Sequence, residues 1–248
     1  MSSQSVLRLY IRKLNLLKFA LWPNPFSGHL KLQVNSSYRR FLAWKSRVLL
    51  VDANNLVNWD QLELKLRSPT TNDGQVSKLE LLYIVGLANE RLKSGDNFLE
   101  IGTFDGNTAL NIALNLPKGS TVITIDLPED AQAKPGGLKY DEYLVAHASR
   151  SQKKHLGQPN VEQVYQDSTT VDFSKFSFSG AFIDGAHDYA TVKSDSQNVL
   201  RHIKRPGFVL WHDYDVECDV GDVLHELAKE YPIRWIDGTR LAFLEVPL

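Results

Sequence analysis

Cysteine is nearly absent: the chain of 248 residues contains one, Cys218. A single thiol excludes an intrachain disulfide and any zinc site built on several cysteines. It fits a reducing compartment, and the cytoplasm is the expected location. Acidic residues are missing from one whole stretch. No Asp or Glu precedes Asp52, while that stretch holds Arg8, Arg12, Lys13, Lys18, Lys31, Arg39, Arg40, Lys45 and Arg47. The formal net charge is only −1, so the remainder is clearly acidic. An asymmetry of this kind marks a surface that meets anions. Long apolar runs are lacking as well; none is long enough to cross a bilayer. A secretory signal is not expected, because charges interrupt the first apolar stretch and no small-residue cleavage site follows.

Composition is otherwise that of a globular protein, with 43% hydrophobic and 23% charged residues, enough for one large α/β domain with an extension. Residues 1–74 are expected to form a basic, aromatic-rich N-terminal extension, and residues 75–248 the main domain. Leu7, Ile11, Leu14, Leu17 and Leu21 share one face of an amphipathic basic helix. Packing on the main domain or on a second copy of the chain is the favoured role, ahead of contact with a membrane surface. Nucleic acid is not an expected partner. Trp22, Phe26, Trp44 and Trp59 suit burial against a partner subunit or against the same chain equally well. Val48-Leu49-Leu50-Val51 is compatible with a short strand or part of a helix, and periodicity does not decide. Pro69-Thr70-Thr71-Asn72-Asp73-Gly74 reads as a linker, followed by Ser77-x-x-Glu80, a capping-box signal for a helix to about Lys93.

From there the pattern alternates. Strands are expected at 97–102, 120–126, 161–166, 180–184 and 207–212, and helices at 107–116, 139–154, 188–204 and 219–230. Two more strands, 233–237 and 241–246, are joined through Asp237-Gly238, a hairpin signal. Seven strands in this order imply an α/β fold. Its sheet is mostly parallel, with helices on both faces and a C-terminal antiparallel hairpin. Ligands of such sheets bind at the carboxyl ends of the strands.

The segment Phe98-Leu99-Glu100-Ile101-Gly102-Thr103-Phe104-Asp105-Gly106-Asn107-Thr108 is a strand, a glycine turn and the start of a helix. This is how an α/β sheet floors a nucleotide site. A dinucleotide site wants G-x-G-x-x-G, but here Phe104 and Asn107 replace the middle and last glycines. Gly102-x-x-x-Gly106 led by Glu100 suits a nucleoside without phosphates. S-adenosylmethionine is such a ligand, and its sulfonium and amino groups favour carboxylates. A glycine turn with no ligand is the bland alternative. Val122-Ile123-Thr124-Ile125 ends in Asp126, which is placed to accept from a ribose diol. Beyond the later strands come Asp167-Ser168, then Asp184-Gly185-Ala186-His187-Asp188-Tyr189, then Trp211-His212-Asp213-Tyr214-Asp215. Carboxylates and histidines gathered at one sheet edge usually meet a cation.

The ordered runs EIGTFDGNT, ITIDL, FIDGAHDYATVKSD and RPGFVLWHDYD resemble class I S-adenosylmethionine-dependent methyltransferases, over about residues 75–248. The nearest group is the small O-methyltransferases, of catechol type or acting on sugars and antibiotics. The resemblance implies a Rossmann-like seven-stranded sheet and a small-molecule hydroxyl as acceptor. Glu100, Gly102, Thr103, Phe104 and Gly106 would shape the pocket for the methionine part. Asp126 would bind the ribose, Asp167 and Ser168 would sit by the adenine, and Asp184 would lie at the floor. Metal-dependent relatives carry Mg²⁺ or Mn²⁺ on an aspartate after strand four and an Asp-Asn pair after strand five. Asp184 and Asp213 match, but Tyr214 stands where the asparagine would be; His212 or Asp215 is the substitute to consider. His187, three after Asp184, is either the general base for the acceptor proton or a helix-terminal residue bonded to a carboxylate. His212 is either a metal or substrate contact or a structural one. Asp188 is expected to cap the helix that follows. The turn-rich segment 127–139 reads as a lid, with Tyr140, Tyr143 and His147 beyond it. Two other classes stay open: a non-catalytic protein that binds S-adenosylmethionine or docks on a partner, and a nicotinamide-dependent oxidoreductase, against which the missing glycines count.

Overall fold

The computed structural model describes residues 48–52, 56–67, 76–128, 131, 155–214 and 218–248. The basic helix of the first twenty residues, the linker at 69–74, the helix expected at 139–154, nearly all of the lid segment, and Asp215 lie outside the described residues. Strands run β1 (Leu49–Val51), β2 (Phe98–Ile101), β3 (Val122–Asp126), β4 (Val161–Tyr165), β5 (Gly180–Ile183), β6 (Gly207–Trp211), β7 (Arg234–Ile236) and β8 (Ala242–Val246). Helices are α1 (Lys78–Arg91), α2 (Asn107–Ala113), α3 (Tyr189–His202) and α4 (Val220–Leu227). None of the described helices is long and apolar enough to cross a membrane.

The strands form one sheet of eight in the order β1-β7-β8-β6-β5-β2-β3-β4. β8 is antiparallel to both β6 and β7, and every other pairing is parallel. The expected seven-stranded sheet therefore has an eighth strand. Residues 49–51 pair with Arg234–Ile236 at the edge. A strand this short is too brief for a period of two to show, so its apolar run was silent about its state. β2, β3 and β4 step to one side, and β5 then returns to the other side of β2. The reversal between β2 and β5 opens the crevice in which such sheets bind ligands.

Alternation along the strands divides the core in two. Leu99, Ile101, Ile123, Ile125, Ile183, Val209 and Trp211 face one side with Val192, Val199 and Ile203 of α3 and its exit, and with Val223 and Leu224 of α4. Phe98, Val122, Phe182, Phe208 and Leu210 face the other with Ile84, Val85 and Ala88 of α1 and Ile112 of α2. Trp59 packs on this second side, its ring 5.5 Å from that of Tyr83 on α1, so the same chain covers it. The Ser77–Glu80 capping box forms at the start of α1 as its spacing predicts, and the Asp188 carboxylate takes the Thr191 N–H at the start of α3.

The segment before α1 is strapped to α2 by two asparagines. Asn111 Oδ1 accepts the Arg67 N–H at 2.8 Å and its Nδ2 donates to the Arg67 carbonyl at 3.0 Å. Asn115, one helical turn on, repeats the pair with Lys65 at 2.8 and 2.7 Å. A helical turn and two residues of extended chain both advance by roughly 6 Å, so the two amides meet alternate peptides. Both asparagines are buried, and a truncation strands peptide groups away from water. Asn111→Ala is expected to lower stability by about 1–3 kcal/mol in urea unfolding, without changing secondary structure.

Candidate functional site

The site is one row of the sheet. Glu100 lies opposite Thr124 on β3 and Phe182 on β5, and Phe182 lies opposite Leu210 on β6. Two residues further on, the same parity brings Gly102, Asp126, Asp184 and His212 side by side just past the carboxyl ends of their strands. The ladder carries on into this row: Gly102 N–H donates to Ile125, Asp184 N–H to Ile101, and His212 N–H to Ile183, at 2.8–3.0 Å. The sequence motifs after four separate strands thus meet at the switch point.

Close approach sets what this row tolerates. Gly102 has φ +97°, and a Cβ there would lie 2.1 Å from the Asp184 carbonyl oxygen. Only glycine lets the two loops touch. Phe104 follows at φ 50°, with its N–H donating to Asp126 Oδ2 at 3.1 Å. Asp126 Oδ1 accepts the Leu127 N–H, so the carboxylate is held from both sides at the tip of β3. The Thr103 and Thr124 hydroxyls bond each other at 2.7 Å, and Thr124 donates in turn to Glu100 Oε2. Gly106, at φ +82°, leads into α2 beneath Leu156. Gln166 N–H donates to the Asp126 carbonyl, which places Asp167 and Ser168 directly beyond Asp126. The Asp167 carboxylate takes the Thr169 N–H and hydroxyl.

Glu100 is fully buried, and its Oε1 has no hydrogen-bond partner. Burial pushes this carboxyl up to about 8 against the pull of the Thr124 hydroxyl, and the charges of Asp184, Asp126 and Asp105 add to the rise. At neutral pH the group is therefore mostly protonated.

A second cluster adjoins the row. His187 Nε2 lies 2.6 Å from Asp213 Oδ2. His212 Nδ1 lies 3.0 Å from Asp184 Oδ1 and 3.2 Å from Asp213 Oδ2. Arg240, in the β7–β8 hairpin, sets Nη1 2.5 Å from Asp213 Oδ1. Beneath them Glu80 takes the Arg240 N–H at 2.7 Å and the Ser77 N–H at 2.9 Å, with His212 Nε2 3.4 Å away. Burial opposes the charge on His212, yet Asp184 and Asp213 outweigh it and keep the ring protonated well above its usual range. Burial would likewise raise Asp213 and Glu80. His212, His187 and Arg240 hold Asp213 well below the usual carboxylate range, and His212 with the Arg240 and Ser77 bonds does the same for Glu80. Asp213 has φ 54°, a conformation that costs a non-glycine residue on the order of 1–3 kcal/mol and that the surrounding contacts sustain.

Asp184, His212 and Asp213 each offer a ligand atom within 4.8 Å of the others. The donor set does not fit a divalent metal. Mg²⁺ and Mn²⁺ want several oxygen ligands, but with Arg240 in place both Asp213 oxygens already face nitrogen donors, Arg240 on Oδ1 and His187 on Oδ2. Tyr214, at the asparagine position of metal-dependent relatives, is turned away; its hydroxyl lies 2.9 Å from His225 Nε2 and its ring packs on Trp235. Two members of the cluster carried no functional signal in the sequence. Glu80 read only as a helix cap, and Arg240 lies 160 residues from it in a hairpin with no motif.

Residues 99–214 match the family described as a methyltransferase domain. No curated protein matches the chain. Among solved structures, the fold is similar to that of the O-methyltransferase NovP, at 16% identity over 86% of this chain and 100% of that one, with a TM-score of 0.53. It is also similar to the Podospora anserina methyltransferase PaMTH1, solved with S-adenosylhomocysteine bound. There identity is 14% over 70% of this chain and 80% of that one, with a TM-score of 0.50. At these identities the likeness is one of fold: an α/β, Rossmann-like sheet with its antiparallel C-terminal hairpin.

Because Glu100 keeps a proton in the folded state that the unfolded chain releases above about 4.5, stability falls as pH rises from there toward 8. Glu100→Gln is expected to remove this slope. Urea midpoints measured across the window should fall further with pH for the parent chain than for the variant, and equal slopes would exclude a raised Glu100.

Proposed function

We propose that the methyltransferase domain carried by residues 99–214 makes this chain an S-adenosylmethionine-dependent methyltransferase that acts on a hydroxyl of a small molecule or sugar. The observation that carries this reading is the row of Gly102, Asp126 and Asp184 at the switch point, with the Glu100 carboxyl, its Oε1 without a hydrogen-bond partner, buried beneath it. The row offers negative charge and no phosphate cradle, which suits a cationic nucleoside. Glu100 and Asp184 would face the charged methionine part, Gly102, Thr103, Phe104 and Gly106 would wall it, Asp126 would accept from the ribose hydroxyls, and Asp167 and Ser168 would lie toward the adenine. The likeness to NovP, an O-methyltransferase, and to PaMTH1, a methyltransferase solved with S-adenosylhomocysteine, supports the donor, and that to NovP supports an oxygen acceptor.

S-adenosylmethionine, when bound, supplies an electrophilic methyl group on sulfur. The acceptor oxygen forms the new C–O bond as the C–S bond breaks, leaving a methyl ether and S-adenosylhomocysteine. The hydroxyl proton needs a base, and His187 takes that part. Its Nε2 faces Asp213 at 2.6 Å, so Asp213 orients the ring and stabilises the imidazolium that results. Alignment of oxygen, methyl and sulfur supplies most of the remaining acceleration. The single cysteine supports a reducing, cytoplasmic setting.

Release of S-adenosylhomocysteine across a panel of hydroxyl acceptors tests the reading. His187→Ala is expected to lower turnover about 10²–10⁴-fold with donor affinity unchanged. Asp126→Ala is expected to weaken donor binding about 10–100-fold, the loss of hydrogen bonds to a charged acceptor. Full turnover in His187→Ala would remove the base from the account, and unchanged donor affinity in Asp126→Ala would remove the ribose contact.

A further inference from the structure

Every contact around Asp213 fixes one carboxylate in one orientation. Its Oδ1 receives the Arg240 guanidinium, and its Oδ2 receives His187 and, at 3.2 Å, His212 Nδ1. The main chain is tied down as well. Tyr214 N–H donates to the Arg240 carbonyl at 2.9 Å, and the Cys218 thiol donates to the Asp213 carbonyl at 3.1 Å. Arg240 is itself preset. Its N–H donates to the buried Glu80 carboxylate, and it follows Thr239, whose hydroxyl takes the Leu241 N–H and donates to the Ile236 carbonyl within the hairpin. The loop after β6 and the β7–β8 hairpin are thus joined by a main-chain hydrogen bond and an ion pair on the same two segments.

We propose that Arg240 is a positioning residue that stands in place of a divalent cation: it neutralises Asp213 at Oδ1 and aims Oδ2 at His187, so that His187, Asp213 and Arg240 form a metal-independent relay. The inference rests on the methyltransferase reading for its catalytic meaning, but its geometry is independent of the donor. A guanidinium suits the task. It carries a permanent charge, it is directional, and it binds a carboxylate oxygen without claiming further ligands. A metal on Asp213 would have to displace it, and Tyr214, turned toward His225, supplies no oxygen to complete the shell. The Arg240 side chain is 42% exposed, which leaves it at the rim of the cluster, where a substitution does not open the core.

Electron paramagnetic resonance of Mn²⁺ added to the full-length chain, stripped beforehand with a chelator, tests this directly. The parent chain is expected to leave the aquo-Mn²⁺ signal undiminished. Arg240→Ala uncovers Asp213 Oδ1, and with that charge gone Asp184, His212 and Asp213, whose ligand atoms lie within 4.8 Å of one another, are expected to hold one Mn²⁺ per chain with water completing its shell. Arg240→Lys restores a cation and is expected to bind none, and Arg240→Ala with Asp213→Asn loses the site again. One Mn²⁺ bound by the parent chain and lost in Asp213→Asn would overturn the proposal. So would an Arg240→Ala chain, folded by circular dichroism, that binds no more Mn²⁺ than the parent. Should Arg240→Ala fail to fold, Arg240→Gln keeps a donor without the charge and takes its place. Calorimetric titration of the same samples with S-adenosylmethionine separates the two readings. A parent chain that excludes Mn²⁺ and also fails to bind the donor would sink the methyltransferase reading and leave the cation assignment standing.

Discussion

The Gly102 loop and the Asp184 loop are in backbone contact, and the rest of the site depends on that contact. A Cβ on Gly102 would sit 2.1 Å from a carbonyl oxygen, so the two strands can only run side by side to their ends if one of them finishes in glycine. This approach closes the floor of the crevice between β2 and β5. It also fixes the spacing of the carboxylates that rise from it. Glu100, Asp126 and Asp184 share a face because strand side chains alternate, and the parallel register puts them in adjacent columns. With a side chain in place of the glycine, the Gly102 and Asp184 loops could not touch.

Gathering them has a cost that the structure shows in two forms. Around the turn, the cost is met by protonation: Glu100 is buried with one oxygen unpartnered and holds its proton to about 8. Around Asp213, it is met by organic cations, Arg240 on one oxygen and the protonated His212 on the other, where His187 also bonds. The first region keeps acidic groups without an organic cation of its own, while the second is already balanced. On the proposed function, a donor whose methyl group is carried on a positive sulfur would lie in the first, and proton transfer from an acceptor beside the second. The division explains how one sheet edge holds so many acids without coming apart.

Much of this was legible in the sequence, and the reasons differ residue by residue. β2, β3, β5 and β6 are mostly buried apolar runs and β4 a partly exposed edge strand, all bounded by turn residues, so their positions emerge to within a residue or two. The Glu100-to-Gly106 turn and the aspartates after β3, β5 and β6 follow from the rule that parallel sheets work at their carboxyl ends. β1 was ambiguous because three residues carry no readable period. Tyr214 marked the doubt over a metal, but the sequence has no way to show which way its side chain turns. Glu80 was read correctly as a cap and yet its second carboxyl oxygen serves the Arg240 main chain, a contact between residues far apart in the chain that no local pattern encodes. Arg240 was missed for the same reason: in sequence it is one arginine in a hairpin, and only the pairing of β8 with β6 brings it to Asp213.

The central claim is that the switch-point row receives a cationic nucleoside and that Glu100 ionises to meet it. Calorimetric titration of the full chain with S-adenosylmethionine on either side of pH 8 tests both halves together. The account predicts saturable binding that tightens as pH rises toward 8, with proton release on binding at lower pH that disappears in Glu100→Gln. Absence of binding, or binding with neither pH dependence nor proton release, would contradict it.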